Sequence, residues 1–550
     1  ADWKASKSTT LYVQKVTDIH LRSHLDDELE ANGNITHVYM MAVIGLFIVL
    51  IACFNFVNLS TARATKRAKE VGLRKVVGAF RSQLINQYLS ESILTAFLAL
   101  VLAIVVAGST LGILNTFTNK ELSLDLIQNL PLTTGLILFA VTVGLLAGIY
   151  PAFVISSFKP ALTLKGQYGT TPGKGVLRKG LVVAQFTISI VLIIATLIIF
   201  QQLDYLNSRS LGYNKEQVIT LPYYGEVAYE PFYNELTKSS AVENVARSSR
   251  IPTGRLLDSQ GSPRVIKGDS LVDVGMDLKS ICADTEFFDT YGITIVSGRT
   301  FSKEVLTDDS LAFIINKAAA KEIGWENPDE YINKEFQYSD VKGTLVGIVD
   351  DFHFESLHEQ IRPMVFMQRN DRYNALSVKI NTRQMKEGLA HLEKTWKSFL
   401  PDKPFEYQFL SERYRNLYES EQKQSQLFIT FSGLAIFIAS LGLFGLATFN
   451  TMQRIKEIGI RKVLGASVPN ILSLLSKEII VLILIANVLA WPFAWYFMNE
   501  WLGTFAYHIE MNLVAYIVAA IGAVLVALIT VSSQTIKAAI SNPAKTLRYE

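Results

Sequence analysis

The chain has 550 residues, half of them hydrophobic and 18% charged, with a mean hydropathy of +0.27. A soluble enzyme of this size carries more charge, and a net charge of +3 is too small to point to nucleic acid. The two cysteines, Cys53 in an apolar run and Cys282 in a polar stretch, imply no disulfide framework.

Residues 1–37 are polar and end in a helix-like stretch. About 20 apolar residues cross a bilayer, and seven stretches reach that length: Val38–Leu59, Ile93–Leu114, Leu132–Ile155, Leu181–Leu203, Leu427–Phe449, Ile479–Trp501 and Leu513–Val531. Between the fourth and fifth lies a polar region, 205–426, of mixed α/β pattern. Its strand candidates are Val218–Leu221, Ile293–Val296, Ala312–Ile315, Leu345–Val349, Met364–Met367 and Ala375–Ile380. Helices are expected over Lys317–Ile323 and Arg383–Leu400, the latter amphipathic through Met385, Leu389, Leu392 and Trp396. Gln201–Ser210 and Ser411–Gln426 carry the periodicity of the adjoining spans outward in polar form, as stalks would. The expected fold is therefore an α-helical transmembrane protein with an inserted α/β extracytoplasmic domain.

Orientation follows from Lys and Arg, which favour short cytoplasmic loops. Segment 60–91 holds seven basic residues against Glu70 and Glu91, and segment 156–180 holds five with no acid. Segment 450–478 has five against two, and the tail adds Lys537, Lys545 and Arg548. Loops 115–131 and 504–512 together have only Lys120 against three acids. The basic loops fall on one side if residues 1–37 lie outside and the C-terminus inside.

The basic segment Lys69-Glu70-Val71-Gly72-Leu73-Arg74-Lys75-Val76-Val77-Gly78-Ala79 recurs 387 residues later as Lys456-Glu457-Ile458-Gly459-Ile460-Arg461-Lys462-Val463-Leu464-Gly465-Ala466. Eight of eleven positions are identical and the rest exchange aliphatics. On a helical wheel Leu73, Val76, Val77, Phe80 and Leu84 share one face and Arg67, Glu70, Arg74, Lys75 and Arg81 the other, with Lys69 and Val71 out of phase. Such a helix suits anionic lipid headgroups or docking to a cytoplasmic partner. Lipid attraction needs charge but no fixed residue order, so two near-identical copies favour docking. The recurring glycines imply close packing or a sharp turn, since glycine costs helix stability. Pro160-Ala161-Leu162-Thr163-Leu164 and Pro543-Ala544-Lys545-Thr546-Leu547 extend the repeat past the third span of each half. The duplication predicts a further span and most of another external domain ahead of Ala1, leaving seven spans here of an expected eight.

These residues resemble the hallmark of FtsX-like permeases, the membrane subunits of MacB-type ABC transporters. Ile314-Ile315-Asn316-Lys317-Ala318 through Gly324-Trp325, and Gly347-Ile348-Val349-Asp350-Asp351-Phe352-His353-Phe354, resemble the MacB-like periplasmic core domain. The resemblance implies a division into 1–37 (end of a first extracytoplasmic domain), 38–180 (first membrane half), 181–204 (span opening the second half), 205–426 (periplasmic core domain) and 427–550 (second membrane half). It implies ATPase coupling at Lys69, Glu70, Gly72, Arg74, Lys75 and Gly78, and at Lys456, Glu457, Gly459, Arg461, Lys462 and Gly465. It further implies a cytoplasmic ABC ATP-binding subunit, acting as a dimer and holding the ATP and Mg. The setting would be a bacterial inner membrane, with a periplasmic or outer-membrane partner in reach.

The chain has no G-x-x-x-x-G-K-[ST] phosphate loop, and no span carries Asp, Glu, Lys or Arg in its central part, as an ion-coupled carrier would. Asn55, Asn58, Gln185 and Asn487 suit helix–helix hydrogen bonds. The cluster Asp350-Asp351-Phe352-His353-Phe354-Glu355-Ser356-Leu357-His358-Glu359 has zinc-ligating residue types, but its histidine spacing of five fits neither one helical face nor alternate strand positions, and strand-end capping is the stronger reading. Tyr223, Tyr224, Tyr229, Phe232 and Tyr233 read as a core edge ahead of a contact surface. The function expected is a permease subunit that couples a partner's ATP hydrolysis to export or extraction of an amphiphilic substrate. The alternatives are a transmembrane signalling device that activates an envelope enzyme, and an adhesion protein or receptor. The paired segments speak against the last.

Overall fold

A computed structural model describes residues 13–23, 35–118, 121–157, 174–259, 261–267 and 270–540. Residues 1–12 and 24–34, and the repeated Pro160–Leu164 and Pro543–Leu547 elements, lie outside the described residues. Contacts divide the chain into two compact units, one of residues 1–198, 425–498 and 512–550, the other of 199–424 and 499–511.

Among the described residues, seven helices are long and apolar enough to cross a membrane. They are α1 (Ile35–Val76), α2 (Arg81–Thr118), α3 (Leu130–Ser156), α4 (Lys174–Ser208), α5 (Glu419–Gln453), α6 (Val468–Leu502) and α7 (Leu513–Ile540). All seven expected spans fall inside them.

Within a bilayer, helices associate through small residues and polar side chains rather than through apolar burial. Two of the four intramembrane amides fit that rule. Asn55 of α1 donates to the Ile438 carbonyl of α5 at 2.5 Å, and Gln185 of α4 donates to Ala439 at 3.0 Å. Asn487 instead bonds within its own helix, to Ile483, and Asn58 Oδ1 has no hydrogen-bond partner. The α1–α5 approach requires glycine on α5: a Cβ at Gly442 would stand 1.6 Å from Asn55 Oδ1, and one at Gly445 2.2 Å from Leu59 Cδ2. Gly442→Val should therefore part the two helices and lower the thermal midpoint of the detergent-solubilised chain by several degrees. The same change at Gly433, which has open space around it, is the control.

The second unit holds twelve strands among the described residues. In a small antiparallel sheet, β12 (Gln408–Phe409), β1 (Val218–Pro222), β11 (Ala375–Ile380) and β2 (Val242–Ser248) stand in that order. The helices Tyr229–Leu236 and Met385–Phe399 cover its core of Ile219, Phe232, Val378, Leu392 and Trp396. Tyr229 and Phe232 are buried, and Tyr223, Tyr224 and Tyr233 pack around them as a core edge.

A larger mixed sheet runs β4 (Ser270–Asp273), β3 (Arg264–Lys267), β8 (Glu335–Tyr338), β9 (Val341–Val349), β7 (Ala312–Asn316), β10 (Met364–Met367) and β5 (Lys279–Cys282), with β6 (Ile295–Gly298) also on β9. Side chains alternate across a strand. Ile314, Met364 and Phe366 enter one core, while Phe313, Ile315, Val365 and Met367 enter another. Burial on both faces explains why β7 and β10 read as unbroken apolar runs. The sheets meet where the Ser249 N–H donates to the Cys282 carbonyl at 2.7 Å and the Asp284 N–H to the Arg247 carbonyl at 3.1 Å. Both cysteines are buried and free.

The Asp350–Glu359 cluster serves several separate contacts. Asp351 accepts from the Ala318 N–H at 2.8 Å, at the start of the helix Lys317–Ile323. Glu355 accepts from the Leu256 N–H at 2.9 Å and pairs with Arg362. His353 meets Tyr507 edge-on, whereas His358 stacks on Phe505. Among the described residues no three His, Cys, Asp or Glu side chains converge as a metal set would.

Candidate coupling site: the two basic segments

The first copy is the last part of α1, so span and segment form one helix. The second is a separate helix, Ile455–Val463, set off from α5 by a turn at Arg454. At the break, helix-favouring Ala68 is replaced by β-branched Ile455, which loses rotamer freedom in a helix.

Both copies stop in the same way. The Ala79 N–H donates to the Arg74 carbonyl at 3.0 Å and the Gly78 N–H to the Lys75 carbonyl at 3.2 Å; Ala466 to Arg461 and Gly465 to Lys462 repeat this at 2.9 and 3.1 Å. This is a Schellman ending, which places its glycine in the left-handed region; φ is +104° at Gly78 and +92° at Gly465. Gly72 and Gly459 are buried. The two kinds of glycine thus divide the expected roles, one pair making the turn and the other the close packing.

Beneath each segment lies a matching core. Val71, Leu84 and Tyr88 in the first copy occupy the places of Ile458, Ile471 and Leu475 in the second. This corrects the helical wheel, because Val71 faces inward while Leu73, Val76, Val77 and Phe80 face out. The wheel runs one helix through residue 84. The Gly78 turn ends that helix, and Phe80 and Leu84 belong to the next phase. Leu73, Val76 and Val77 and their repeats Ile460, Val463 and Leu464 are between 52% and 81% exposed. Each copy therefore shows an apolar patch beside its basic residues.

The charges are braced in parallel. Glu70 pairs with Arg74 at 2.7 Å and Glu457 with Arg461 at 2.8 Å, each one helical turn apart. Arg67 reaches Glu91 at 3.0 Å, and its repeat Arg454 reaches Glu478 at 3.9 Å. These exposed pairs contribute little energy singly, but they tie each segment to the foot of the next span. Lys75 donates to the Ser156 carbonyl at 2.6 Å, and burial, with Arg81 nearby, holds its pKa below the usual lysine value. Lys462 has an interaction of its own; the side chains of Lys69 and Lys456 lie outside the described residues. Sequence reading passed over the Arg67–Glu91 brace, although the repeat at Arg454 and Glu478 preserves both partners at the same offset of 387.

The family model for the FtsX-like permease C-terminal region matches residues 42–160 and again 429–543, each stretch enclosing one segment and its flanking spans. Both matched stretches are thus FtsX-like. The chain is 24% identical over 293 residues to the macrolide export ATP-binding/permease protein MacB of Bartonella quintana, a match covering 51% of the chain and 43% of that protein. It is 28% identical over 128 residues to the protein of the same name from Syntrophobacter fumaroxidans, covering 23% and 17% of the two chains. The chain spans less than half the length of these curated relatives. Among solved structures, the periplasmic region of MacB from Actinobacillus actinomycetemcomitans aligns over 38% of the chain and 94% of its own length, at 14% identity and a TM-score of 0.26.

Proposed function

We propose that the permease docks a separate ATP-binding subunit through the two repeated segments and passes that subunit's motion to the α/β domain. The observation that carries this reading is the apolar patch shown twice, Leu73/Val76/Val77 and Ile460/Val463/Leu464, on helices with the same ending and the same ion pairs. Exposed apolar residues ringed by charge suit a protein partner, and two copies suit a dimeric one. ATP and Mg would sit in that partner.

In this reading the segments face the cytoplasm, as their basic residues favour, in a bacterial inner membrane. The α/β domain and the loop between α6 and α7 lie outside. The substrate class is amphiphilic, extracted or exported by movement of the external domain, with a periplasmic or outer-membrane protein as a further partner. If the driven motion activates an envelope enzyme and moves no substrate, the docking chemistry is unchanged.

The test uses Val76→Glu, Val463→Glu and the double variant, purified with the candidate ATP-binding subunit and placed in lipid nanodiscs. Each single change should weaken association about tenfold, or about 1.4 kcal/mol, and the pair should abolish permease-dependent ATP hydrolysis. Unchanged association and hydrolysis in the double variant would assign the patches to the lipid surface.

A further inference from the structure

The segment 351–361, which the coupling reading leaves unused, meets the stretch after α4, the stretch before α5 and the loop between α6 and α7, all within the second unit. It is pinned at three points. The His353 N–H donates to the Leu211 carbonyl at 2.9 Å, just beyond α4. That approach requires glycine next door, since a Cβ on Gly212, at φ +78°, would lie 2.7 Å from Phe352 Cβ. The Leu357 N–H donates to Tyr418 Oη at 2.7 Å, just before α5. The carbonyls of Leu357 and His358 accept from the N–H groups of Tyr507 and Ala506, both at 3.3 Å, in the loop between α6 and α7.

Side chains close the same joint. The Tyr507 ring stands edge-on to His353 at 4.7 Å, and Phe505 stacks on His358 at 4.3 Å. The Arg209 guanidinium lies 4.4 Å from the Tyr507 ring centroid. Gln202, fully buried in the outer part of α4, donates to the Tyr507 carbonyl at 3.1 Å and accepts from the Ile509 N–H at 2.9 Å. Phe352, Phe354 and Leu357 are buried, which roots the segment in the domain core.

We propose that segment 351–361 and loop 503–511 form a mechanical node that makes the outer ends of α4 and α5 and the α6–α7 loop move with the α/β domain as one body. Gln202 and Tyr507 are its positioning residues. The loop is held by backbone, amide and aromatic contacts together. Motion arriving along any of the four helices then reaches the domain through one clamp. The consequence for transport rests on the coupling reading above, whereas the joint is testable in the permease alone.

Hydrogen exchange on the full chain in nanodiscs tests it. The amides of His353, Leu357, Ala506 and Tyr507 should share one protection level, and Tyr507→Ala and Gln202→Leu should each lower all four about tenfold. Tyr507→Phe, which keeps the ring, should restore protection. With the ATP-binding subunit bound, the wild type should keep these amides protected with and without ATP and vanadate, and the two disruptive variants should hydrolyse ATP while losing nucleotide-dependent exchange changes in the α/β domain. Independent protection of the four amides, or deprotection of Ala506 and Tyr507 in one nucleotide state of the wild type, would overturn the node. Failure of the subunit to bind the wild type would count against the coupling reading and leave the four-amide comparison to decide the node.

Discussion

Arg247→Ala should destabilise the α/β domain by about 1–3 kcal/mol at neutral pH, the range for removing one hydrogen-bonding partner of a buried polar group. Arg247 lies on β2 with its guanidinium 3.4 Å from the Tyr229 ring centroid and 4.8 Å from that of Tyr373, and it donates to Tyr223 Oη at 3.3 Å. Its Nε stands 3.6 Å from Asp284, a carboxylate only 4% exposed. Burial outweighs the attraction of Arg247 and two backbone N–H bonds, and pushes the Asp284 pKa up to about 7.

The sign of the pH dependence follows. Between the ordinary carboxylate range near 4 and about 7, the folded form keeps a proton that the unfolded form has released. Stability therefore falls as pH rises through that window. Without Arg247 the carboxylate has no counter-charge, so the loss should be largest at pH 7 and smaller at pH 5, where Asp284 holds its proton. Hydrogen exchange of the β2 and β5 amides in the full chain, at both pH values, reads the difference. Equal losses at the two would mean that the aromatic stacking of Arg247, and not its charge, carries the effect.

The spans, β10, β11 and the helix Lys317–Ile323 were legible in sequence because single-chain signals determine them. A span is a long apolar run, β10 is apolar on both faces, and Asn316 followed by alanines and Gly324 marks a capped helix whose Gly324 has φ +89°. Strands β3, β5 and β8 were missed. Arg264–Lys267, Lys279–Cys282 and Glu335–Tyr338 are four residues each and mix charge with apolar residues, so only their neighbours in the sheet define them. The repeat disclosed the candidate site, yet the wheel ran one helix past Gly78 and so set the buried Leu84 on the face of the exposed Leu73, Val76 and Val77, with Val71 out of phase. In the Asp350–Glu359 cluster the histidine spacing already favours strand-end capping over coordination, and the fold adds which partner each member faces.

Lowering the pH from about 6.5 to about 4 should loosen the contact between segment 351–361 and loop 503–511. Burial, helped by Arg209, drops the His353 pKa to about 4. Unfolded histidine takes its proton near 6.5, whereas the folded ring stays neutral until about 4, so the unfolded or opened form binds more protons across this window and stability is lost as the pH is lowered through it. The groups facing the ring are Tyr507 and Arg209, and Glu355, Glu359 and Arg362 line the small cavity beside it. His358 is also held below its ordinary value by burial, against the pull of Glu421 and Glu359; its Nε2 lies 3.6 Å from Glu421. Taking about half of 1.36 kcal/mol per pH unit for a ring partly withdrawn from water, the His353 contribution is roughly 2 kcal/mol. Protection factors of Ala506 and Tyr507, corrected for intrinsic exchange, should fall accordingly, and His353→Gln, which cannot take up the proton, should flatten the profile. An unchanged slope in that variant would move the titration to His358. Because Glu421 stabilises the His358 cation, protonation there opens the contact less, so the size of the slope separates the two histidines as well as its survival does.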